Sequence, residues 1–219
     1  MTSESKIAAI ETAELLGDPH PLLDQLGPAD GLATLDSAPA ALQFARVRDL
    51  PSLRTFLRIY QNEILLPLEW PSILKAHGHA SRFEPRELIA LDGQLASEPA
   101  LRDFAVASCR VGQRQLSKLR PLRDERFIKR YLSAIESGQA RGWHTLVYGI
   151  SLAIYSLPLR QGLRTYAERT LGGFIESAAG PLRLTETDCE GLLAEVCGEL
   201  PGAMELLLAS ATGPGLCIV

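Results

Sequence analysis

Residues 141–163 read RGWHTLVYGISLAIYSLPLRQGL, and the way this stretch folds decides the architecture. From Trp143 to Leu159 it runs 17 residues without a charge, with Pro158 near its end. A membrane-spanning helix needs roughly 20 apolar residues, and Ser151, Ser156 and two tyrosines interrupt this run. A helix that is apolar on every side is instead the buried centre of a bundle. Pro158 suits the first turn of the next helix, where a missing N–H leaves no bond unmade. That helix is expected to reach about Ala179, with Leu163, Tyr166, Ala167, Leu171 and Phe174 facing inward at helical spacing.

The same logic extends outward. Ser52–Leu65 puts Leu53, Phe56, Leu57, Tyr60 and Ile64 on one face. Leu66-Pro67-Leu68 should interrupt it, with a short helix following over Ile73–Ala80. Pro85 opens a helix through Ala96, and another is expected from Pro99 to about Leu119, where Arg120-Pro121 ends it. Asp124–Glu136 forms a further helix, broken by Ser137-Gly138. Thr187 or Asp188 can cap a final helix through about Leu208. A weaker pattern covers Ser5–Leu16, and residues 17–39, rich in proline and glycine, read as loop. Residues 1–6 and 212–219 read as loose termini. No strand alternation appears. The expected fold is therefore all-α, a compact single domain over 1–219 made of about eight to ten helices.

Charge is distributed in blocks. Residues 101–130 hold nine basic and three acidic side chains, a balance of +6, while 1–50 and 181–219 each balance at −5. The overall charge of −4 does not suit a nucleic-acid binder. Arg110, Arg114 and Lys118 are four apart and share a helix face, which could dock an acidic protein. Ser108 and Gly112 form a small pair on a neighbouring face, where another helix can approach closely. No basic segment followed by an apolar run opens the chain. Cys109, Cys189, Cys197 and Cys217 show no zinc spacing and read as reduced thiols of a cytoplasmic protein.

Little in the residues points to catalysis. Phosphate-loop, dinucleotide and nucleophile-elbow motifs are absent. His77-Gly78-His79 would need further ligands to hold a metal, with Glu69 or Glu84 as the nearest carboxylates. His144 stands beside Trp143 at the mouth of the buried helix, but a general base needs a nucleophile within reach and none can be assigned. Asp92 and Asp103 carry no information by themselves. Neither a cofactor nor a metal is expected.

The second half nevertheless resembles a family. His144, Val147 and Gly149 on an apolar helix, then Leu157-Pro158-Leu159 and Tyr166, are similar to the urease accessory protein F (UreF) family. The likeness continues to Asp188. Upstream, Arg102, Asp103, Ser108, Gly112 and Leu116 fit that family's Arg-Glu/Ser/Gly/Leu helix, and Leu66-Pro67-Leu68 a Leu-Pro-Leu. The resemblance implies an all-α homodimer without catalytic activity. It implies a scaffold in nickel delivery to urease, contacting accessory proteins D (or H) and G, with nickel transfer to apo-urease coupled to GTP hydrolysis. It also places Arg164, Tyr166 and Glu168 on the dimer-forming helix, where Arg164 and Glu168 could pair reciprocally across a two-fold axis.

The chain departs from the family near its start. Over residues 28–35 only Pro28 and Gly31 remain of the Gly-Gly-Phe motif; Asp30 replaces a glycine and Thr34 an aromatic residue. A paralogue that kept the bundle but serves a non-urease partner is the alternative, and an enzyme using His144 a third reading. On the bundle reading, His144→Ala should lower the melting temperature and a charge at Ala153 should lower it further.

Overall fold

The computed structural model describes residues 46–118 and 126–211. Pro28, Gly31, the pattern at 5–16, the loop at 17–39, the two termini and Arg120-Pro121 lie outside the described residues. Among those described, every regular element is helical, so the all-α class holds. The chain runs α1 (Leu50–Tyr60), a π-helical segment (Gln61–Glu69), α2 (Trp70–Ser81) and α3 (Pro85–Ser97). A 3-10 turn (Pro99–Phe104) leads into α4 (Ala105–Lys118), followed by α5 (Arg126–Glu136) and α6 (His144–Ile154). The long α7 (Leu159–Leu182) precedes α8 (Glu186–Cys197) and α9 (Leu200–Ala211).

The stretch that opened the sequence reading forms the centre. All of His144 through Leu152 is buried in α6. A fully buried helix must satisfy its polar side chains internally. Ser151 Oγ donates to the Val147 carbonyl at 2.8 Å, and Tyr148 Oη to the Gly162 carbonyl at 3.0 Å. No helix among the described residues is long and apolar enough to cross a membrane. The helix is only 11 residues long. Ser156 takes φ 51°, and the Leu157 and Ser156 amides bond back to Leu152 and Ala153 carbonyls, closing a left-handed C-terminal cap.

Two hydrophobic clusters fill the molecule, and α6 and α2 contribute to both. Tyr148 and Leu152 join Trp70, Ile73, Leu163, Leu171 and Phe174 in one; Trp143, Leu146, Val147 and Ile150 join Ala76, Leu88, Phe127 and Tyr131 in the other. The pair crosses closely at Gly149. A Cβ there would run into the Ile73 carbonyl oxygen and lie 3.0 Å from the Ala76 Cβ.

Four expectations need correction. Leu66-Pro67-Leu68 does not interrupt the helix: Leu50 through Ser81 is helical without a gap. Proline lacks a donor and presses on the carbonyl four residues back; a π turn widens the backbone there, and the Trp70 amide reaches the Leu65 carbonyl instead. The final helix is two helices, because the chain turns at Gly198-Glu199 and Pro201 sits at the start of α9. Ala153 is half-buried near the end of α6, so a charge there can reach water and is not the harshest change. The helix expected from Pro99 begins as the 3-10 turn, and Glu98 caps it by accepting from the Ala100 amide.

Gly149→Ala tests the crossing. Alanine is about 1 kcal/mol the better helix former, whereas forcing a methyl into a packed seam costs about 1–3 kcal/mol. The backbone carbonyl cannot swing aside as a side chain would. A lower urea midpoint in Gly149→Ala is expected, and an unchanged or higher one would show the seam can spread.

Candidate functional site

Two polar assemblies stand out, one buried and one open. The open one is a groove of ≈ 940 Å³ between α7, α8 and the start of α9. Its apolar lining includes Trp70, Gly172, Leu193, Cys197 and Met204, and its charged lining includes Arg164, Glu168 and Glu176. Arg164 Nε and Glu168 Oε1 pair at 2.7 Å, four residues apart on α7, with side chains 48% and 36% exposed. An exposed pair of this kind contributes about 0.3–0.5 kcal/mol and leaves both groups available to a partner. Cys197 is no reactive thiol: burial, and then the nearby Glu168 charge, push it up to about 12.

Tyr166 is not part of that surface. It is 4% exposed and turned into the core. The inward spacing of α7 wins over its place between two surface charges. Its ring stacks on His144 at 5.5 Å and lies 5.2 Å from Tyr148. This begins the buried assembly. Glu69, on the π-helical segment, is 5% exposed and accepts a hydrogen bond from Tyr60 Oη at 3.1 Å and another from Tyr166. Burial pushes the Glu69 carboxyl up to about 7, and the two hydroxyl donors offset only part of that. Tyr60 and Tyr166 are both held well above the usual tyrosine value, first by burial and then by the Glu69 charge. Sequence reading named Glu69 only as a possible metal ligand. Its signal was a glutamate at four-residue spacing from Gln61 and Leu65 on a buried face.

The start of α6 is organised by a second carboxylate. Asp92 on α3 is 1% exposed and accepts from Tyr131 Oη at 2.6 Å and from the Arg141 and Gly142 amides at 2.7 and 2.9 Å. It pins the loop that delivers Trp143 and His144. Gly142 takes φ 76°, a left-handed conformation that suits glycine, and a Cβ there would press on Ile135. Ser108 and Gly112 are closely approached, but by the segment 142–144 that opens α6 rather than by the flank of another helix. Ser108 Oγ accepts from the His144 amide at 3.2 Å, and a Cβ on Gly112 would overlap the Gly142 carbonyl. Sequence reading set Asp92 aside, since a carboxylate's partners 39 to 50 residues away leave no local trace.

The remaining positions separate. Val147 is core at 0% exposure, and Gly149 lies in the α2 crossing. Asp188 completes a capping box: its carboxylate accepts from the Thr185 amide and hydroxyl at 2.9 and 2.6 Å, which lowers its pKa. Arg102 is exposed on the 3-10 turn, and Arg110 and Arg114 are exposed on α4; Lys118 ends that helix. Arg102, Arg110 and Arg114 do not line the groove. His79 pairs with Glu84 at 2.8 Å, and Arg82 clamps the same carboxylate, holding it down at about 2. No group of three His, Cys, Asp or Glu among the described residues could hold a metal.

A UreF family model matches residues 47–197, which span α1 through α8. No curated protein matches the chain. Truncating Asp92 checks the construction of the α6 mouth. Asp92→Ala leaves one hydroxyl and two amides buried without an acceptor, and is expected to cost about 3–5 kcal/mol by urea unfolding. A loss under 1 kcal/mol would mean that the loop does not depend on the carboxylate.

Proposed function

Since the chain belongs to the UreF family of urease accessory proteins, we propose that it acts as a non-enzymatic scaffold in GTP-dependent nickel insertion into urease. In this reading it bridges accessory proteins D (or H) and G in the cytoplasm, and nickel is cargo passed to apo-urease. The observation that carries it is the family match over residues 47–197, which takes in the whole α1–α8 core. The structure is consistent with a binding role. The carboxyl that burial pushes upward lies enclosed among tyrosines rather than in an open cleft, and the groove mixes an apolar lining with charged residues.

The scaffold works as a homodimer in this proposal, with the α7 groove as the contact. A two-fold contact would let Arg164 and Glu168 exchange their pairing within the chain for reciprocal pairs between chains. The changed segment at residues 28–35 favours a second reading, a paralogue that serves a non-urease partner. Co-expression with accessory proteins D and G, followed by size exclusion with light scattering, separates the two. A joint complex carrying two copies of this chain supports the urease role, as does restored urease activity in cells lacking their own protein F. A dimer that ignores both proteins supports the paralogue.

Charge reversal tests the dimer contact. Arg164→Glu should reduce the light-scattering mass from two copies to one, 23.8 kDa. The double swap, Arg164→Glu with Glu168→Arg, should restore the pair of copies. A dimer indifferent to both variants would place the contact elsewhere.

A further inference from the structure

The groove and the buried tyrosine cluster are two sides of one wall. Trp70, next in sequence to Glu69, lines the groove, and its Nε1 donates to the Leu163 carbonyl of α7 at 3.1 Å. Tyr166 sits on the inner side of the same turn of α7 that presents Arg164 and Glu168 outward. Glu69 therefore touches α7 from within at the level where the groove touches it from without.

The groups around Glu69 are unusual for a buried carboxylate. From α1, Tyr60 donates to it; from α7, Tyr166 does. From α6, His144 and Tyr148 lie behind Tyr166 in ring contact with it. From the 3-10 turn, Phe104 packs on Tyr60, while Arg102 and Asp103 are exposed. On its own segment Glu63 is exposed, and α2 offers the indole of Trp70. Arg164 and Glu168 pair with each other on the outer side, and Arg58 is engaged by Glu195. Arg169 of α7 lines the groove and acts on Tyr148, and among the described residues no cation pairs with Glu69 itself. A buried charge without a counter-ion is strongly disfavoured, and such a group holds its proton instead. It also sits in a π-helical turn, a feature frequent at functional positions.

We propose that Glu69 is a proton switch behind the groove. With its proton it is a neutral link between the π-helical segment and α7. Without it, a carboxylate lies buried among hydroxyls, the seam between the two elements loosens, and Trp70 and the groove lining shift. Burial places the change near pH 7 rather than at the ordinary 4.5. The folded pKa is raised, so folding takes up a proton between those values. The stabilisation is complete below about pH 4.5 and is lost as pH rises toward 7. The inference concerns the isolated chain and stands apart from the choice of partner.

The first measurement is carbon NMR of side-chain-labelled protein, following the Glu69 carboxyl assigned by its loss in Glu69→Gln. A midpoint near 7 is expected; a midpoint in the ordinary carboxylate range overturns the proposal. The second compares urea unfolding of wild type and Glu69→Gln from pH 5 to pH 8. The wild-type unfolding constant, relative to the variant's, should rise by up to about tenfold per pH unit until pH 7, then level off; parallel profiles overturn the proposal. Should the variant fail to fold, the midpoint of the Trp70 indole N–H signal in wild type decides. Movement with the carboxyl supports coupling to the groove, and a signal fixed across that range overturns it.

Discussion

The crossing of α6 on α2 is the constraint on which the rest of the structure depends. Gly149 has no side chain, and the α2 backbone at Ile73 occupies the space a Cβ would need. Only that contact lets α6 lie close enough to α2 for both helices to wall two clusters at once. Dispersion and apolar burial fall off steeply with separation, so a gap of one methyl along this seam would weaken packing on both sides. The second close approach, Gly112 against the loop at 142–144, holds the other end of α6 in the same manner.

Because α6 is enclosed, the polar groups around it are cut off from water, and several find partners inside the protein. Asp92 gathers two loop amides and a tyrosine hydroxyl at its mouth, and Tyr148 reaches the Gly162 carbonyl near its end. Glu69 differs from Asp92 in an instructive way. Asp92 accepts from two backbone amides and a hydroxyl, whereas Glu69 has only two hydroxyl donors. Amides fixed by the backbone stabilise a charge more firmly than hydroxyls that can rotate. Burial with so few donors leaves the proton of Glu69 at stake near neutral pH.

The groove takes its shape from the same hierarchy. Its lining is the outer side of α7, whose inner side is committed to the core through Leu163, Tyr166, Ala167 and Phe174. Arg54 and Arg58 converge on Glu195, and Arg160 on Glu205, so exposed ion pairs tether α8 to α1 and α9 to α7. Each such pair is weak, but apolar contacts along α8 and α9, through Leu192, Val196, Leu200 and Met204, carry the burial. His144, Val147 and Gly149, three of the spaced positions that resemble the family's, are all buried on α6.

How much could be read from the chain alone follows from the range of each interaction. Helical periodicity placed α1, α7 and the buried α6, because the spacing of apolar residues depends on the geometry of one helix. The five inward residues named on α7 are all buried. Helix ends were less legible. Ser156, Phe83 and Arg183 take left-handed caps that usually signal themselves with glycine, and Pro67 sits inside a π turn where proline ordinarily marks a break. The pairing of carboxylates was not legible. By itself the sequence determined that the protein is all-α with α6 at its centre, since burial pattern is local information. Only the tertiary structure decided that Glu69 and Asp92 are interior, and that Arg164 and Glu168 line a groove. Each of these depends on partners brought together from distant parts of the chain, which no local spacing encodes.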